Sequence, residues 1–261
     1  MLALLLPLML VATAALHIDM INGHTAPEPI LSSIVSLSLN KGGTHTCTGV
    51  LITPQHILTA AHCIGYAQWA VFRSNGVHEL LEIAGTRLHP NAKTKYPTSY
   101  DIGVLVLRKK SKQPPVKLQF DNLTLGTPVW VYGGGNTAFN LTTSSPTIKE
   151  MNASVTRQSE CPTDDANTTL VDSMVCINGA VTCKGDSGGP VTVVQDGQHY
   201  VVAVASWAHV LCDSPIAGYA RVSAARDFLE PYLSPPRKTP ERTPRHDDRP
   251  PHHPLFVDSL D

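Results

Sequence analysis

The six cysteines of this sequence constrain its fold more than any other feature. An even number of cysteines in a chain of 261 residues predicts three disulfides if the protein is exported to an oxidising compartment. A zinc site is the competing interpretation, but no Cys-x-x-Cys pair or helical pair of histidines supports it. We therefore predict disulfides and no metal, although spacing alone does not choose a pairing among Cys47, Cys63, Cys161, Cys176, Cys183 and Cys212.

The start of the chain indicates an export route. Residues 1–15 are apolar, contain Pro7 and end in small side chains, which is typical of a signal peptide and too short for a membrane span. A buried N-terminal helix is the alternative, and Pro7 disfavours it. We expect a secreted, extracellular protein with no membrane span in the mature chain. Candidate glycosylation sites in Asn-x-Ser/Thr sequons agree with this route: Asn122, Asn140, Asn152 and Asn167.

The composition excludes some classes of partner. The chain is 42% hydrophobic, enough for a large core, and its formal net charge is -1. This balance does not favour nucleic acid or an anionic membrane, so we expect a protein or an uncharged molecule as partner. Gly133-Gly134-Gly135 resembles a phosphate loop only superficially, because no Gly-Lys-Ser/Thr follows it. We interpret it as a turn and predict no cofactor.

Short β-branched segments separated by Gly, Pro, Asn and Asp predict an all-β sandwich or barrel fold. One helix is expected at 224–233, with Ser223 as its N-cap. The polar stretch 109–125 would connect two β units. The Pro-rich tail 234–261 is predicted to be disordered, including His252-His253, which we interpret as solvated side chains rather than a metal site. The predicted strands are 34–39, 50–52, 102–107, 128–132 and 201–207.

Three motifs carry the chemistry of the sequence. VTCKGDSGGP (181–190) places Ser187 among glycines, which leave backbone N–H groups free to stabilise an oxyanion. A serine hydroxyl is a poor nucleophile unless a base takes its proton. LTAAHC (58–63) and SYDIGVLVL (99–107) supply a histidine and an acid. The three motifs together, in this order and spacing, resemble the chymotrypsin-like serine proteases from about residue 20 to residue 233.

This resemblance implies a fold of two packed six-stranded antiparallel β-barrels with a C-terminal helix. The protease domain would span 20–233, with barrels at about 20–118 and 126–222 and the helix at 223–233, and 16–19 would be a short pro-segment. We expect a monomer whose partners are protein or peptide substrates and protein inhibitors of proteases. The implied disulfides are Cys47–Cys63, Cys161–Cys176 and Cys183–Cys212.

By the same resemblance, Ser187 is the nucleophile, His62 the general base and then acid, and Asp101 the group that orients the imidazole. The N–H groups of Gly185 and Ser187 would form the oxyanion hole. These assignments predict a serine endopeptidase.

The walls of the specificity pocket imply a preference for small apolar side chains. Val181 lies where trypsin-like members carry an acid, and a valine cannot offset the desolvation of Lys or Arg. Ala208 and Ala217 would narrow the pocket where glycines are common. We therefore expect an elastase-like rather than tryptic pocket. Ser206 and Trp207 precede Ala208 in the strand that binds the substrate backbone.

The N-terminus departs from the family pattern. Asp186 is present to receive a freed α-amine, and Met20-Ile-Asn-Gly resembles the usual start of a mature chain. The preceding residue is Asp19, however, and no Lys or Arg occurs before Lys41, so tryptic activation of a zymogen is excluded. This leaves open a different class of function, a non-enzymatic homologue that acts as a secreted binding or inhibitor protein.

Overall fold

A computed structural model describes residues 23–74, 76–95, 98–135, 147–161, 170–209 and 211–233. The predicted signal peptide, the segment 16–19, Met20 and the Pro-rich tail lie outside the described residues, as do the sequons at Asn140 and Asn167. Asn122 and Asn152 are exposed. Within the described ranges, no helix is long and apolar enough to cross a membrane.

The first half of the chain forms a closed, antiparallel six-stranded barrel. Its strands pair in the order β1-β2-β3-β6-β5-β4, and β4 pairs back onto β1. A short helix, α1 (Ile30–Ser33), leads into it. The strands are β1 (Ile34–Ser38), β2 (Cys47–Thr53), β3 (His56–Thr59), β4 (Trp69–Ser74), β5 (Val77–Leu88) and β6 (Gly103–Leu107).

The second half repeats this plan. Its strands pair in the order β7-β8-β9-β12-β11-β10, and β10 pairs back onto β7 to close the barrel. Two short strands join it at the outside: His24–Thr25 pairs with β8, and Lys117–Leu118 runs parallel to β11. The strands are β7 (Pro128–Gly133), β8 (Lys149–Val155), β9 (Met174–Asn178), β10 (Pro190–Gln195), β11 (Gln198–Trp207) and β12 (Ile216–Arg221).

The predicted fold class is confirmed: the protein is all-β with two six-stranded barrels and a short C-terminal helix. Each predicted strand overlaps an observed one. The sequence did not reveal the remaining strands, which are β3, β4, β5, β8, β9, β10 and β12. Strand β5 is the longest of them at twelve residues, and none of its described side chains is buried, so it lacks the apolar run by which the other strands were predicted.

One apolar cluster joins the two barrels and the C-terminal helix. It contains Val50 and Val104 of the first barrel, Tyr132 and Val204 of the second, and Leu229 of the helix, all buried. Because this cluster crosses the domain interface, it fixes the relative position of the barrels and of the cleft between them.

The C-terminal helix, α2, spans Arg226–Leu233. The prediction that Ser223 caps this helix was wrong: Ser223 is the first residue of a preceding 3₁₀ turn, Ser223–Ala225, and its side chain makes no capping bond. The apolar face was predicted correctly. Leu229 is fully buried, while Phe228 and Tyr232 are partly buried and contact each other edge to face.

All six cysteines form disulfides, and the pairing implied by the resemblance is the observed one: Cys47–Cys63, Cys161–Cys176 and Cys183–Cys212. The first joins the start of β2 to the turn that carries His62. The third joins the loop before Ser187 to the loop that follows β11. Two of the three therefore restrain segments that border the cleft.

Candidate active site

His62 and Asp101 are brought together by neighbouring strands. His62 lies in a 3₁₀ turn directly after β3, Asp101 lies just before β6, and these strands pair through Thr59 and Gly103. His62 Nδ1 is 2.7 Å from Asp101 Oδ2, and the backbone N–H of His62 donates to Asp101 Oδ1 at 3.0 Å. Because the carboxylate only accepts, Oδ2 places the proton on Nδ1 and leaves Nε2 to act as a base, while the bond to Oδ1 fixes the backbone of His62.

The Asp101 carboxylate is fully buried, and a second side chain binds it. Ser206 Oγ donates to Asp101 Oδ2 at 2.6 Å. Ser206 Oγ also lies 3.1 Å from Thr98 Oγ1, which can donate to it because the Ser206 proton is already used. A chain of hydroxyl groups therefore ends at the oxygen that binds the imidazole, and it satisfies a charge that burial would otherwise penalise.

The residue before Asp101 has a left-handed backbone conformation that residues other than glycine rarely adopt. Tyr100 has φ 45°. Its backbone N–H donates a 3.0 Å hydrogen bond to Ser173 Oγ. Its ring stacks on His89 with centroids 4.5 Å apart, and His89 contacts Phe228 of α2 edge to face. These contacts hold the turn that presents Asp101 to His62.

Ser187 comes from the second barrel, in the loop before β10. Its carbonyl oxygen accepts a 2.9 Å hydrogen bond from the N–H of Thr48 in the first barrel. The next residue, Gly188, has φ 79°, and a Cβ there would lie 2.0 Å from Thr59 Oγ1. Only glycine therefore allows the serine loop to approach the histidine barrel this closely.

Ser187 lines a pocket, and its carbonyl oxygen lies 3.5 Å from Sγ of Cys63, the residue after His62. Within the described residues no hydrogen bond joins Ser187 Oγ to the imidazole. Hydrogen bonds between a nucleophile and its base are often long in the absence of substrate and shorten when substrate binds. The histidine–aspartate pair of the predicted triad is therefore bonded within the first barrel, and the role of Ser187 as the nucleophile stays a prediction.

The predicted oxyanion hole has two available donors. Among the described residues, no acceptor takes the N–H of Gly185 or that of Ser187. Gly185 has φ 99°, and its carbonyl oxygen accepts hydrogen bonds from His45 Nε2 and Thr48 Oγ1, both at 2.9 Å. These two hydrogen bonds hold the carbonyl of Gly185 in place, so the conformation of this glycine does not depend on a bound substrate.

His45 is held as a neutral imidazole with one tautomer. Since a carbonyl can only accept, Nε2 carries the proton, and Nδ1 accepts from Ser36 Oγ at 2.7 Å. Burial lowers the pKa of His45 and the charge of Arg73 lowers it further, while the bond to Gly185 acts in the opposite direction. At neutral pH the ring therefore serves as a fixed donor.

Asp186, predicted to receive a freed N-terminus, is buried. Its carboxylate accepts from the N–H groups of Gly135 at 2.7 Å and Cys183 at 2.8 Å. A Cβ at Gly133 or Gly135 would collide with it, which gives these glycines a packing role. The interpretation of 133–135 as a turn was wrong for Gly133, which is the last residue of strand β7. Burial raises the pKa of Asp186 to about 7, against the effect of the two hydrogen bonds.

A pocket of about 230 Å³ adjoins Ser187. Ser206, Trp207 and Ala208 are among its lining residues, and their role in specificity stays a prediction. Val181 and Ala217 are not among its lining residues, and Ala217 is buried in the apolar core of the second barrel. Their effect on specificity stays a prediction. The described lining residues that the sequence did not single out include Thr182, Lys184 and His209.

Trp207 occupies its position because of a glycine on the neighbouring strand. It pairs with Gly218 of β12, and a Cβ there would lie 2.1 Å from the indole. The indole therefore packs directly against the strand backbone and forms one wall of the pocket.

A cluster of His62, Cys47 and Cys63 has the proximity of a metal site. The two sulfur atoms are joined to each other in a disulfide, so neither can act as a thiolate ligand. The cluster instead places a rigid crosslink beside the imidazole.

Several supporting residues were missed by sequence reasoning, namely Ser36, His45, Thr48, Thr98 and Ser173. None of them lies in the motif that it supports, and each reaches its partner across a barrel or between barrels. The only available signal was that Thr48 follows Cys47, which pairs with the cysteine next to His62.

Two closed, antiparallel six-stranded barrels followed by a short C-terminal helix define a chymotrypsin-like fold. The family model "Trypsin" matches residues 20–229. The chain therefore belongs to the trypsin family of chymotrypsin-like serine proteases.

Individual relatives are distant and differ in their described activity. Spermosin of Halocynthia roretzi is 30% identical over 72% of this chain and 54% of its own length. Trypsin 5G1 of Aedes aegypti is 30% identical over 80% of this chain and 83% of its own length. Glucanase inhibitor protein 1 of Phytophthora infestans is 28% identical over 84% of this chain and 91% of its own length. The family thus includes both proteases and a protein named as an inhibitor.

Proposed function

We propose that this protein is a secreted serine endopeptidase that forms an acyl-enzyme on Ser187. The observation that carries the proposal is the buried Asp101 carboxylate, which binds two N–H groups of His62 and so presents Nε2 as a base beside the serine loop. The three sequence motifs and the membership of the trypsin family support the same assignment.

In this mechanism His62 Nε2 takes the hydroxyl proton of Ser187 as the oxygen attacks the peptide carbonyl. The imidazolium is stabilised by Asp101, and the oxyanion accepts from the N–H groups of Gly185 and Ser187. His62 then protonates the leaving amine, which leaves an acyl-enzyme. Water deprotonated by His62 attacks the ester, and the proton returns to Ser187.

The proposed substrates carry a small apolar residue before the scissile bond. The pocket is small, about 230 Å³, and Ala208 and Trp207 lie on its walls. Its single acid within the described lining, Asp186, has its carboxylate bonded to Gly135 and Cys183 and is not free to pair with a basic substrate. These features support elastase-like rather than tryptic cleavage.

A non-enzymatic binding or inhibitor role is the second candidate. It is supported by the similarity to glucanase inhibitor protein 1 across most of this chain, and by the absence of Lys or Arg before Met20. The presence of all three triad residues favours the enzyme.

Labelling with a fluorophosphonate probe tests the proposal. We expect a chain that begins at Met20 to be labelled on Ser187, and the variants Ser187→Ala and His62→Ala to remain unlabelled. Ser214→Ala, a serine in a loop of the same barrel, is the matched control and should be labelled normally. Absence of labelling in the folded wild-type chain would favour the binding role instead.

A further inference from the structure

A second cavity lies on the second barrel. It has a volume of about 300 Å³, and no described residue lines both this cavity and the pocket beside Ser187. Its walls come from the segment before β7 and from strands β7, β10 and β11, and they include Gln119, Asn122, Trp130 and Gln195. We call it the Asn122 cavity. Its volume is at the small end of the roughly 300–1,000 Å³ of small-molecule sites, which suits a single ring.

The lining of the Asn122 cavity combines apolar surface with neutral hydrogen-bonding groups. Trp130 is partly buried and Val194 is 44% exposed, while Gln119 and Gln195 contribute amides. Asp121 is the only charged residue among the described lining residues. A phosphate or carboxylate would therefore meet a like charge and no cation. A neutral molecule with an apolar face and several hydroxyl groups, such as a sugar ring, fits this lining better.

Gln119 offers an acceptor that no described donor uses. Its side-chain Nε2 donates to Asp121 Oδ2 at 2.8 Å, and its backbone N–H donates to the carbonyl oxygen of Val201 at 2.9 Å. These two bonds fix the orientation of the side-chain amide. Its oxygen, Oε1, is buried and accepts no hydrogen bond from any described residue. Since an unsatisfied buried acceptor is unfavourable, a bound molecule with a hydroxyl group or an amide N–H would be stabilised here.

Asn122 places a modification site at the wall of this cavity. It begins the sequon Asn-Leu-Thr, it is exposed, and it makes no hydrogen bond with any described residue. Its side-chain amide can therefore carry a glycan in a secreted chain. The other described sequon begins at Asn152, which pairs with Trp130 across strands β8 and β7 but does not line the cavity. Of these two sequons, only that of Asn122 borders a recess for its first sugar.

We propose that the Asn122 cavity binds the first N-acetylglucosamine of a glycan attached to Asn122. In the attachment step Asn122 Nδ2 forms a bond to C1 of the sugar and releases a proton. The bond between C1 and the diphosphate of a lipid-linked oligosaccharide, the co-substrate, breaks in the same step. The apolar face of the attached sugar then covers Trp130, and one of its hydroxyl groups donates to Gln119 Oε1.

The covalent link makes a weak contact sufficient. A sugar held at Asn122 has a high effective concentration at the cavity, whereas a free sugar would have to offset its lost translational freedom. Covering the indole of Trp130 also removes apolar surface from water. The attached sugar should therefore stabilise the folded chain. The inference rests on the proposed secretion of the protein and does not require peptidase activity.

The test uses the full chain, exported by a eukaryotic host that is fed ¹³C-labelled N-acetylglucosamine. An endoglycosidase then trims each glycan to its first sugar, and mass spectrometry of the peptides identifies the occupied sequons. We expect nuclear Overhauser effects between the ring protons of the sugar on Asn122 and the indole of Trp130. We also expect a Tm about 2–4 °C above that of Asn122→Gln, the size of a modest contact in a chain of this length.

Asn152→Gln is the matched control, because it removes a sugar that lies opposite Trp130 but outside the cavity. It should leave both the Overhauser effects and the Tm unchanged. A sugar on Asn122 without Overhauser effects to Trp130, or with a Tm equal to that of Asn122→Gln, would overturn the inference. An exported chain without sugar on Asn122 would overturn it as well. A folded chain that the host does not export would contradict the proposed secretion together with the inference.

Discussion

Ser206 Oγ and His62 Nδ1 bind the same oxygen of Asp101, at 2.6 Å and 2.7 Å. The first residue lies in the second barrel, and the other two lie in the first. His62 and Asp101 both come from the first barrel, but Ser206 of the second barrel also binds the Asp101 carboxylate. Both barrels therefore determine the orientation of the His62 imidazole.

Ser206→Ala should lower kcat/KM by about tenfold, because a hydrogen bond to a buried charge contributes about 1.5 to 3 kcal/mol. Steady-state hydrolysis of an alanine ester measures the change. Thr98→Val, which removes the hydroxyl behind Ser206, should have a smaller effect in the same direction. Full activity in Ser206→Ala would show that the two remaining bonds suffice to orient His62.

His45→Asn should reduce kcat more than it raises KM, since the loss of the bond to the Gly185 carbonyl loosens a donor that acts on the oxyanion. We expect a reduction of about tenfold, less than that for direct removal of an oxyanion donor. His78→Asn, at an exposed histidine of β5, is the control. Equal effects of the two variants would refute the role of His45.

Asp186 makes the stability of the folded chain depend on pH. Its pKa in the folded chain is raised from 3.8 to about 7. Between these values the folded chain binds a proton that the unfolded chain does not. The free energy of unfolding should therefore fall as pH rises from 3.8 toward 7, in a chain whose residues before Met20 are retained. Urea denaturation at several pH values measures this slope.

The same chain with Asp186→Asn should lose that slope, because the amide does not titrate. A chain that begins at Met20 should also lose most of it if its α-amine pairs with the carboxylate and lowers the pKa. Equal slopes in the retained and the trimmed chain would contradict the predicted role of Asp186.

Val181→Asp tests the predicted floor of the specificity pocket. A carboxylate there should raise kcat/KM for Arg and Lys before the scissile bond from a very low baseline, and should lower it for Ala, because the apolar side chain would strip water from the charge. Two peptides that differ only at this residue provide the measurement. Val194→Asp, at a half-exposed valine of β10, should leave the ratio at its wild-type value. An unchanged ratio in Val181→Asp would show that Val181 does not reach the substrate.

The sequence predicted the barrels and the three motifs because both depend on short-range patterns. Runs such as 102–107 are buried on both faces and show as continuous apolar segments, and the triad residues lie in motifs of their own. The fully buried core position of Leu229 was likewise visible as part of a helical apolar face.

What the sequence did not predict depends on contacts between distant segments. Nothing in the sequence around His45 distinguishes it from the other histidines. Its two nitrogens bind Ser36 of β1 and the Gly185 carbonyl of the serine loop, which only the folded chain brings together. Ser223 was predicted as a cap from its residue type, but a 3₁₀ turn begins there instead, so no side-chain cap forms. The absence of Ala217 from the lining of the pocket follows from its burial in the second barrel's core, which a count along the sequence could not reveal.

Phe228 contacts His89, and His89 contacts Tyr100. Support for the turn before Asp101 therefore depends on a residue that is synthesised late. The ribosome completes all three triad residues before it makes α2, the helix that carries Phe228. A chain released before that helix would contain every catalytic side chain but would lack the aromatic contact behind the turn of Asp101. The last structural element among the described residues thus supports a turn of the first barrel, and chains terminated before it lack this support.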